Sequence, residues 1–299
     1  MTLDEYQQKA AATDAREISK NPDLSVLLLG LAGETGSLLT LYKKQLRDGD
    51  AFQVAEQRLS EEMGDILWYL AAIARRCELS LESIAITNLE KTQSRWLSGE
   101  DQTLFDGEMR PTEQLPRRFT AILRDSTDAE GKNWMSMMFN GEPVGSELTD
   151  NAHDPDGYRF HDILHLAFAA TLGWSPVIRA LLKRKRKSNP RLDEIEDGGR
   201  SIAIEEGIAA LIFTYATEHS LLNGVETIDW SILRTCQTMS AGLEVRRRAL
   251  YDWEKAIVSA FRAWRKAIKQ GGVRVIGDLE HKTFTFESLG NLCTGMRFS

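Results

Sequence analysis

The chain has 299 residues, of which 42% are apolar and 27% charged, which excludes a disordered chain and suits one large domain or two ordinary ones. Lys plus Arg total 37 against 44 for Asp plus Glu. The resulting net charge of −7 gives no global footprint for a polyanion, so nucleic acid is not an expected partner. A small anionic substrate, served by a divalent metal and a few local cations, stays open.

In chain order, the first hundred residues read as four helices. Residues 3–19 are amphipathic and break at Asn21-Pro22. Residues 24–46 form a strongly apolar helix stopped by Asp48-Gly49-Asp50. Residues 52–78 place Met63, Ile66, Leu67, Leu70 and Ile73 at helical spacing. Residues 80–96 begin at Ser80, a fair N-cap, with Glu82 near the positive end of the helix dipole. The polar stretch 98–116, with Gly99, Gly107, Pro111 and Pro116, reads as a linker.

Beyond it the composition changes. Arg118–Arg124 and Asn133–Phe139 are strand-like, with a turn from Asn140-Gly141, and predict a small antiparallel sheet. Helical patterns return over 158–173, 175–187, 201–223 and 229–269, and alternation over 273–287 suggests a terminal hairpin. The expected fold is therefore mainly α: an all-α bundle over 1–97, then a mostly helical α+β domain over 117–299 with a small antiparallel sheet. Cys77, Cys236 and Cys293 form no CxxC, which argues against a disulfide framework and fits a reducing compartment. The opening residues lack a basic n-region and an apolar h-region, and no apolar run is expected to reach the roughly 18 residues of a membrane span. The expected location is cytoplasmic, with no membrane partner.

The chemistry concentrates in two acidic helices. Glu62 and Asp65, three apart, share one helical face. Glu34 sits within the apolar run Val26–Ala32 and Leu38-Leu39. Carboxylates on such stripes are costly to bury alone, and Mg²⁺, which takes hard oxygen ligands, removes the cost. Gly30, Gly33 and Gly36 would let the helices approach closely. A single ExxD is more often a solvated face or a salt-bridged pair; two acidic helices shift the balance toward a metal.

The segments Gly30-Leu31-Ala32-Gly33-Glu34 and Glu61-Glu62-Met63-Gly64-Asp65-Ile66-Leu67-Trp68-Tyr69-Leu70-Ala71 resemble the MazG-like all-α nucleoside triphosphate pyrophosphohydrolases, over about a third of the chain. The resemblance implies hydrolysis of a (d)NTP to the monophosphate and pyrophosphate, with Mg²⁺ or Mn²⁺ neutralising the triphosphate and lowering the pKa of a water. It implies a homodimer or higher homo-oligomer and a role in nucleotide-pool control or housecleaning. It carries metal binding to Glu34, Glu62 and Asp65, with Glu61 beside them as a further catalytic candidate. Ser37 stands where the family's first acidic motif usually ends in a second Glu. A neutral hydroxyl is a weaker ligand, so the ion keeps an added water or takes help from Glu61. Asn88, Lys91 and Arg95 match the family's fourth-helix ending and, with Lys43 and Lys44, are the candidates for holding phosphates. Against that, Lys43 and Lys44, as cations near a helix C-terminus, also simply complement its dipole.

In the second half, His161 and His165 are four apart on one helical face, and Glu205-Glu206 lie on another predicted helix. Two imidazoles and a carboxylate form a familiar transition-metal set, although paired histidines on an apolar helix are more often packing. No HExxH is present. Asp150, Asn151, Asp154, Asp156 and Gly157 resemble a calcium loop in composition only. Lys183-Arg184-Lys185-Arg186-Lys187 reads as a solvated helix end or a clamp for phosphate or nucleic acid, with the acidic stretch 193–197 close enough to neutralise it. Two alternatives to the pyrophosphohydrolase remain: a nucleotide-sensing or partner-binding protein with weakened catalysis, and a second metal-dependent hydrolase site in the C-terminal domain.

Overall fold

The computed structural model describes residues 1–14, 24–52, 55–97 and 103–289. The chain divides into two units, Met1–Gln93 and Ser94–Ser299.

The first unit is helical. α1 (Leu3–Ala11) starts on a capping box in which Thr2 and Glu5 satisfy each other's backbone N–H groups. Part of its expected C-terminal extension, 15–19, lies outside the described residues. α2 (Leu24–Asp48) runs two residues past its expected end into a 3-10 turn, Gly49–Ala51. α3 (Ala55–Arg76) lies against α2, and α4 (Leu81–Trp96) follows. Asp4 accepts from Ser80 Oγ and Glu82 accepts from Leu3 N, so α1 and the start of α4 cap each other. The buried core is small: Ala10, Ala71, Ala74 and Leu81, with Leu3, Tyr6, Leu67 and Trp68 packed on it.

Contrary to expectation, α2 is by length and composition apolar enough to cross a membrane. The reason is that residues 24–41 contain a single charge, Glu34. Leu29 and Leu46 on this helix are 72% and 70% exposed.

The second unit begins earlier than its sequence boundary. Described residues 103–116, expected to be a linker, are packed into it. Leu115 is 2% exposed, and Asp106 accepts from Leu115 N, Arg117 and Arg179. The sheet has five antiparallel strands in the order β3-β2-β1-β4-β5, formed by β1 (Arg118–Thr127), β2 (Asn133–Phe139), β3 (Glu142–Leu148), β4 (Gly272–Asp278) and β5 (Thr283–Glu287). The terminal hairpin is thus not a separate feature: Ala121 pairs with Phe139 on one side and Val275 on the other. Phe119, Ala121, Leu123, Met135, Met137, Val273 and Val275 are buried, and helices cover that face of the sheet.

The helices of this unit are α5 (Asp162–Leu172), α6 (Pro176–Leu181), α7 (Pro190–Ile195), α8 (Gly199–Glu218), α9 (Trp230–Met239) and α10 (Leu250–Gln270). Three sequence readings change. The pattern 175–187 keeps helix only to Leu181, 190–195 is helical, and 229–269 is two helices separated by a 3-10 turn, Glu244–Arg247. Every residue of α5 is buried, and α5 packs on α10, whose Trp253, Phe261 and Trp264 are completely enclosed.

Candidate functional sites

In the first unit, α2 supplies Glu34 and α3 supplies Glu62 and Asp65. One carboxylate oxygen from each lies within 4.8 Å of the others. Close contact of the helices depends on Gly30, where an added Cβ would stand 2.2 Å from Tyr69 Cε1. Gly33 and Gly36 have nothing within 4 Å of that position and so do not mediate the approach. Among the described residues no lysine or arginine pairs with the three carboxylates. Three negative charges so close repel one another, and a cation between them turns repulsion into attraction. The donor set is all hard oxygen from two helices, which fits Mg²⁺ or Mn²⁺.

The surrounding candidates divide. Glu61 is exposed, accepts from Gln57 Nε2 at 3.2 Å, and is outside the cluster. Ser37 is half-buried one turn beyond Glu34. Lys43 and Lys44 are exposed, about 14 Å further along the α2 axis than Glu34. Asn88 and Lys91 are exposed on α4. Arg95 falls in the second unit and is engaged there: it is 8% exposed, pairs with Glu254 at 2.8 Å and donates to the Ile228 carbonyl at 2.7 Å. Trp68 packs on the small core and donates to Thr13 Oγ1, while Trp96 is exposed beneath the Arg95 guanidinium. Sequence reasoning did not single out Tyr6, whose phenol pKa is raised by burial and then by the Asp65 charge.

In the second unit the four predicted residues come together. His165, wholly buried on α5, has Nδ1 at 2.8 Å from Glu205 Oε1 on α8. Its Nε2 is 3.4 Å from Glu206 Oε2, and His161 Nε2 is 3.8 Å from the same oxygen. Burial lowers the pKa of His165, but the Glu205 and Glu206 carboxylates outweigh it and push it up to about 10. The His165 imidazole in turn holds Glu206 below the usual carboxylate range.

Other charged motifs are spent on structure. Arg186 is buried between Asp197 and Glu244, each at 2.8 Å, and Arg184 donates to the Pro111 and Gln114 carbonyls. The cationic run is therefore partly internal, and its neutralising partner is the acidic stretch that follows it. In the calcium-like loop, Asp150 receives Arg159 and Asp156 caps Tyr158 N, so these carboxylates serve the loop itself.

Comparison with known families matches residues 100–290 to the MazG C-terminal domain and residues 23–97 to the MazG nucleotide pyrophosphohydrolase domain. Gene 37 protein of Mycobacterium phage L5 is 37% identical over 101 residues, which is 32% of this chain and 89% of that protein. The dCTP pyrophosphatase 1 proteins of Rattus norvegicus and Mus musculus are 38% and 35% identical over 74 residues, 23% of this chain and 44% of each relative. No solved structure matches the chain.

Proposed function

We propose, for a chain that belongs to the MazG C-terminal domain family and carries a MazG nucleotide pyrophosphohydrolase domain over residues 23–97, that it converts a (d)NTP and water to the (d)NMP and pyrophosphate. The observation that carries this reading is the convergence of Glu34, Glu62 and Asp65 from two helices, with ligand atoms within 4.8 Å. These three would hold Mg²⁺ or Mn²⁺. When bound, the ion supplies charge neutralisation for the triphosphate and acidifies a water. The chain's own contribution is to fix the carboxylates on rigid helices and to offer cations to the leaving pyrophosphate. Lys91 and Asn88 on α4 and Lys43 and Lys44 on α2, all exposed, are the groups we assign to that role. Ser37, one turn from Glu34, leaves the ion with a neutral hydroxyl or a water where a second carboxylate is usual.

The active form we infer is a homo-oligomer. The first unit leaves large apolar side chains of α2 in solvent, including Leu28, Leu29, Leu39 and Leu46, together with Ile86 and Leu89 of α4. Faces of this kind mark association surfaces, and a second copy of the same bundle is the self-complementary occupant. The expected setting is the cytoplasm, where nucleotide pools are controlled. Incubating the full chain with a panel of dNTPs and NTPs and Mg²⁺ or Mn²⁺ tests the reading. Monophosphate and pyrophosphate in equal amounts support it; stepwise release of inorganic phosphate, or no metal-dependent turnover, overturns it.

A further inference from the structure

We propose that the second unit holds a transition-metal ion on His161 Nε2, His165 Nε2 and a Glu206 carboxylate oxygen, as a site separate from the carboxylate cluster of the first unit.

The orientation of both imidazoles is fixed from behind. Glu205 accepts from Ser175 Oγ at 2.6 Å and Val177 N at 2.8 Å, so it is an acceptor on both oxygens and His165 Nδ1 must be the donor to it. His161 Nδ1 donates to the Tyr158 carbonyl at 3.0 Å, and its ring stacks on that tyrosine. Each histidine therefore spends Nδ1 on a second partner and leaves Nε2 to the carboxylates: His165 Nε2 faces Glu206, and His161 Nε2 lies 3.8 Å from both Glu206 Oε2 and Asp162 Oδ1. That is the carboxylate–imidazole–metal and carbonyl–imidazole–metal arrangement by which proteins set the tautomer of a ligating histidine. Ser175 is at the same time the N-cap of α6, which ties Glu205 to a helix start.

The spacing is that of ligands. An ion about 2.1 Å from each donor in tetrahedral array has donors about 3.4 Å apart. The observed separations from Glu206 Oε2 are 3.4 Å to His165 and 3.8 Å to His161, and all three ligand atoms lie within 4.8 Å of one another. His165 Nε2, completely buried, makes no hydrogen bond of good geometry, and an ion binding there would displace the proton that the facing carboxylates favour. It is a buried polar atom aimed at a gap of metal size.

The chemistry of the donors selects the ion. Two imidazoles and one carboxylate suit Zn²⁺, Co²⁺, Ni²⁺ or Fe²⁺, whereas the first unit's three carboxylates suit Mg²⁺ or Mn²⁺. The site is open on one side, since the Glu206 side chain is 41% exposed while that of His165 is fully enclosed. Three protein ligands with an open fourth position are the pattern of a reactive ion rather than a closed structural one.

The test is a Co²⁺ titration of chelator-treated full-length protein in excess Mg²⁺, read by visible d–d absorption, with Zn²⁺ as competitor. One equivalent of Co²⁺ giving an intense low-coordinate spectrum, abolished by one equivalent of Zn²⁺, is expected. Glu206→Gln and His161→Ala, both at the open side, should each weaken Co²⁺ binding by about tenfold or more. Glu62→Gln should leave the spectrum unchanged, which separates the two sites. No low-coordinate band, or full binding in both Glu206→Gln and His161→Ala, overturns the proposal and leaves a proton as the occupant of His165 Nε2.

Discussion

Tyr69 occupies the space that a side chain on Gly30 would need, with its Cε1 2.2 Å from the position of the missing Cβ. The contact joins the helix that carries Glu34 to the helix that carries Glu62 and Asp65. Gly33, three residues on, faces open space. Gly30→Ala should therefore be less stable than Gly33→Ala by about 1–3 kcal/mol, the usual cost of overpacking. Gly33→Ala itself should be neutral or gain up to about 1 kcal/mol from helix propensity. Urea unfolding of the two variants side by side checks this, and equal stability would mean that the helices do not meet at Tyr69.

Removing one charge from the cluster should remove turnover and spare the fold. Glu62→Gln and Asp65→Asn keep side-chain volume and lose a ligand. Since even outer-shell partners of a metal site are worth about 10–100-fold, each should lower metal-dependent turnover by at least about 100-fold. Circular dichroism confirms folding in the same samples. Near-normal activity in either folded variant would remove the site.

Ser37→Glu places a fourth carboxylate on the Glu34 face of α2, three residues on. It should tighten Mg²⁺ binding or leave it unchanged, as read by calorimetric titration. Loss of Mg²⁺ binding in the folded variant would show that Ser37 faces something other than the ion.

Acid should unfold the second unit partly through Asp106. Burial raises its pKa, but Arg179, Leu115 N and Arg117 outweigh burial and hold it below the usual aspartate range. A depressed carboxyl contributes stability that is complete above the ordinary value near 3.9 and is lost as pH falls through the lowered folded value. Asp106→Asn leaves the buried Arg179 short of its partner at 2.6 Å. It should cost about 3–5 kcal/mol at neutral pH. The difference from the parent should shrink below about pH 4. A difference independent of pH would dissociate the effect from ionisation.

Both candidate sites were legible because helical spacing is a local property. Glu62 and Asp65 at three residues, and His161 and His165 at four, share a face in any helix, and Glu34 stood out as a lone charge in an apolar run. The convergence of His161 and His165 on Glu206 rested on a long-range pairing that the sequence suggested only by residue type. What local pattern missed was set by distant partners. Residues 103–116 look like a linker because Gly107, Pro111 and Pro116 punctuate them, yet Asp106 is fixed by Arg179, 73 positions away. β3 contains Pro143 and Gly145, which weaken a strand signal, and as an edge strand it tolerates both. The break between α9 and α10 has no proline to announce it; Ser240 stands at the C-cap of α9 and Gly242 follows.

The two cations expected to act together at the end of α4 should separate experimentally. Lys91 is exposed and belongs to the first unit, whereas Arg95 is enclosed in the second. Arg95 meets Glu254 at 2.8 Å and the Ile228 carbonyl at 2.7 Å, and Glu254 accepts in turn from Ile228 N. A guanidinium committed to a buried carboxylate and a carbonyl has few donors left for a triphosphate. Arg95→Gln should therefore act on stability, by about 3–5 kcal/mol if Glu254 is left as an unpaired buried charge. KM for the nucleotide, measured well below the unfolding temperature, should stay within about twofold, because no uniform binding is lost. Lys91→Ala should do the reverse: little change in stability, as for most surface substitutions, and a KM raised by about tenfold if one charge-assisted contact to the phosphates goes. A raised KM with unchanged stability in Arg95→Gln would return that residue to the substrate.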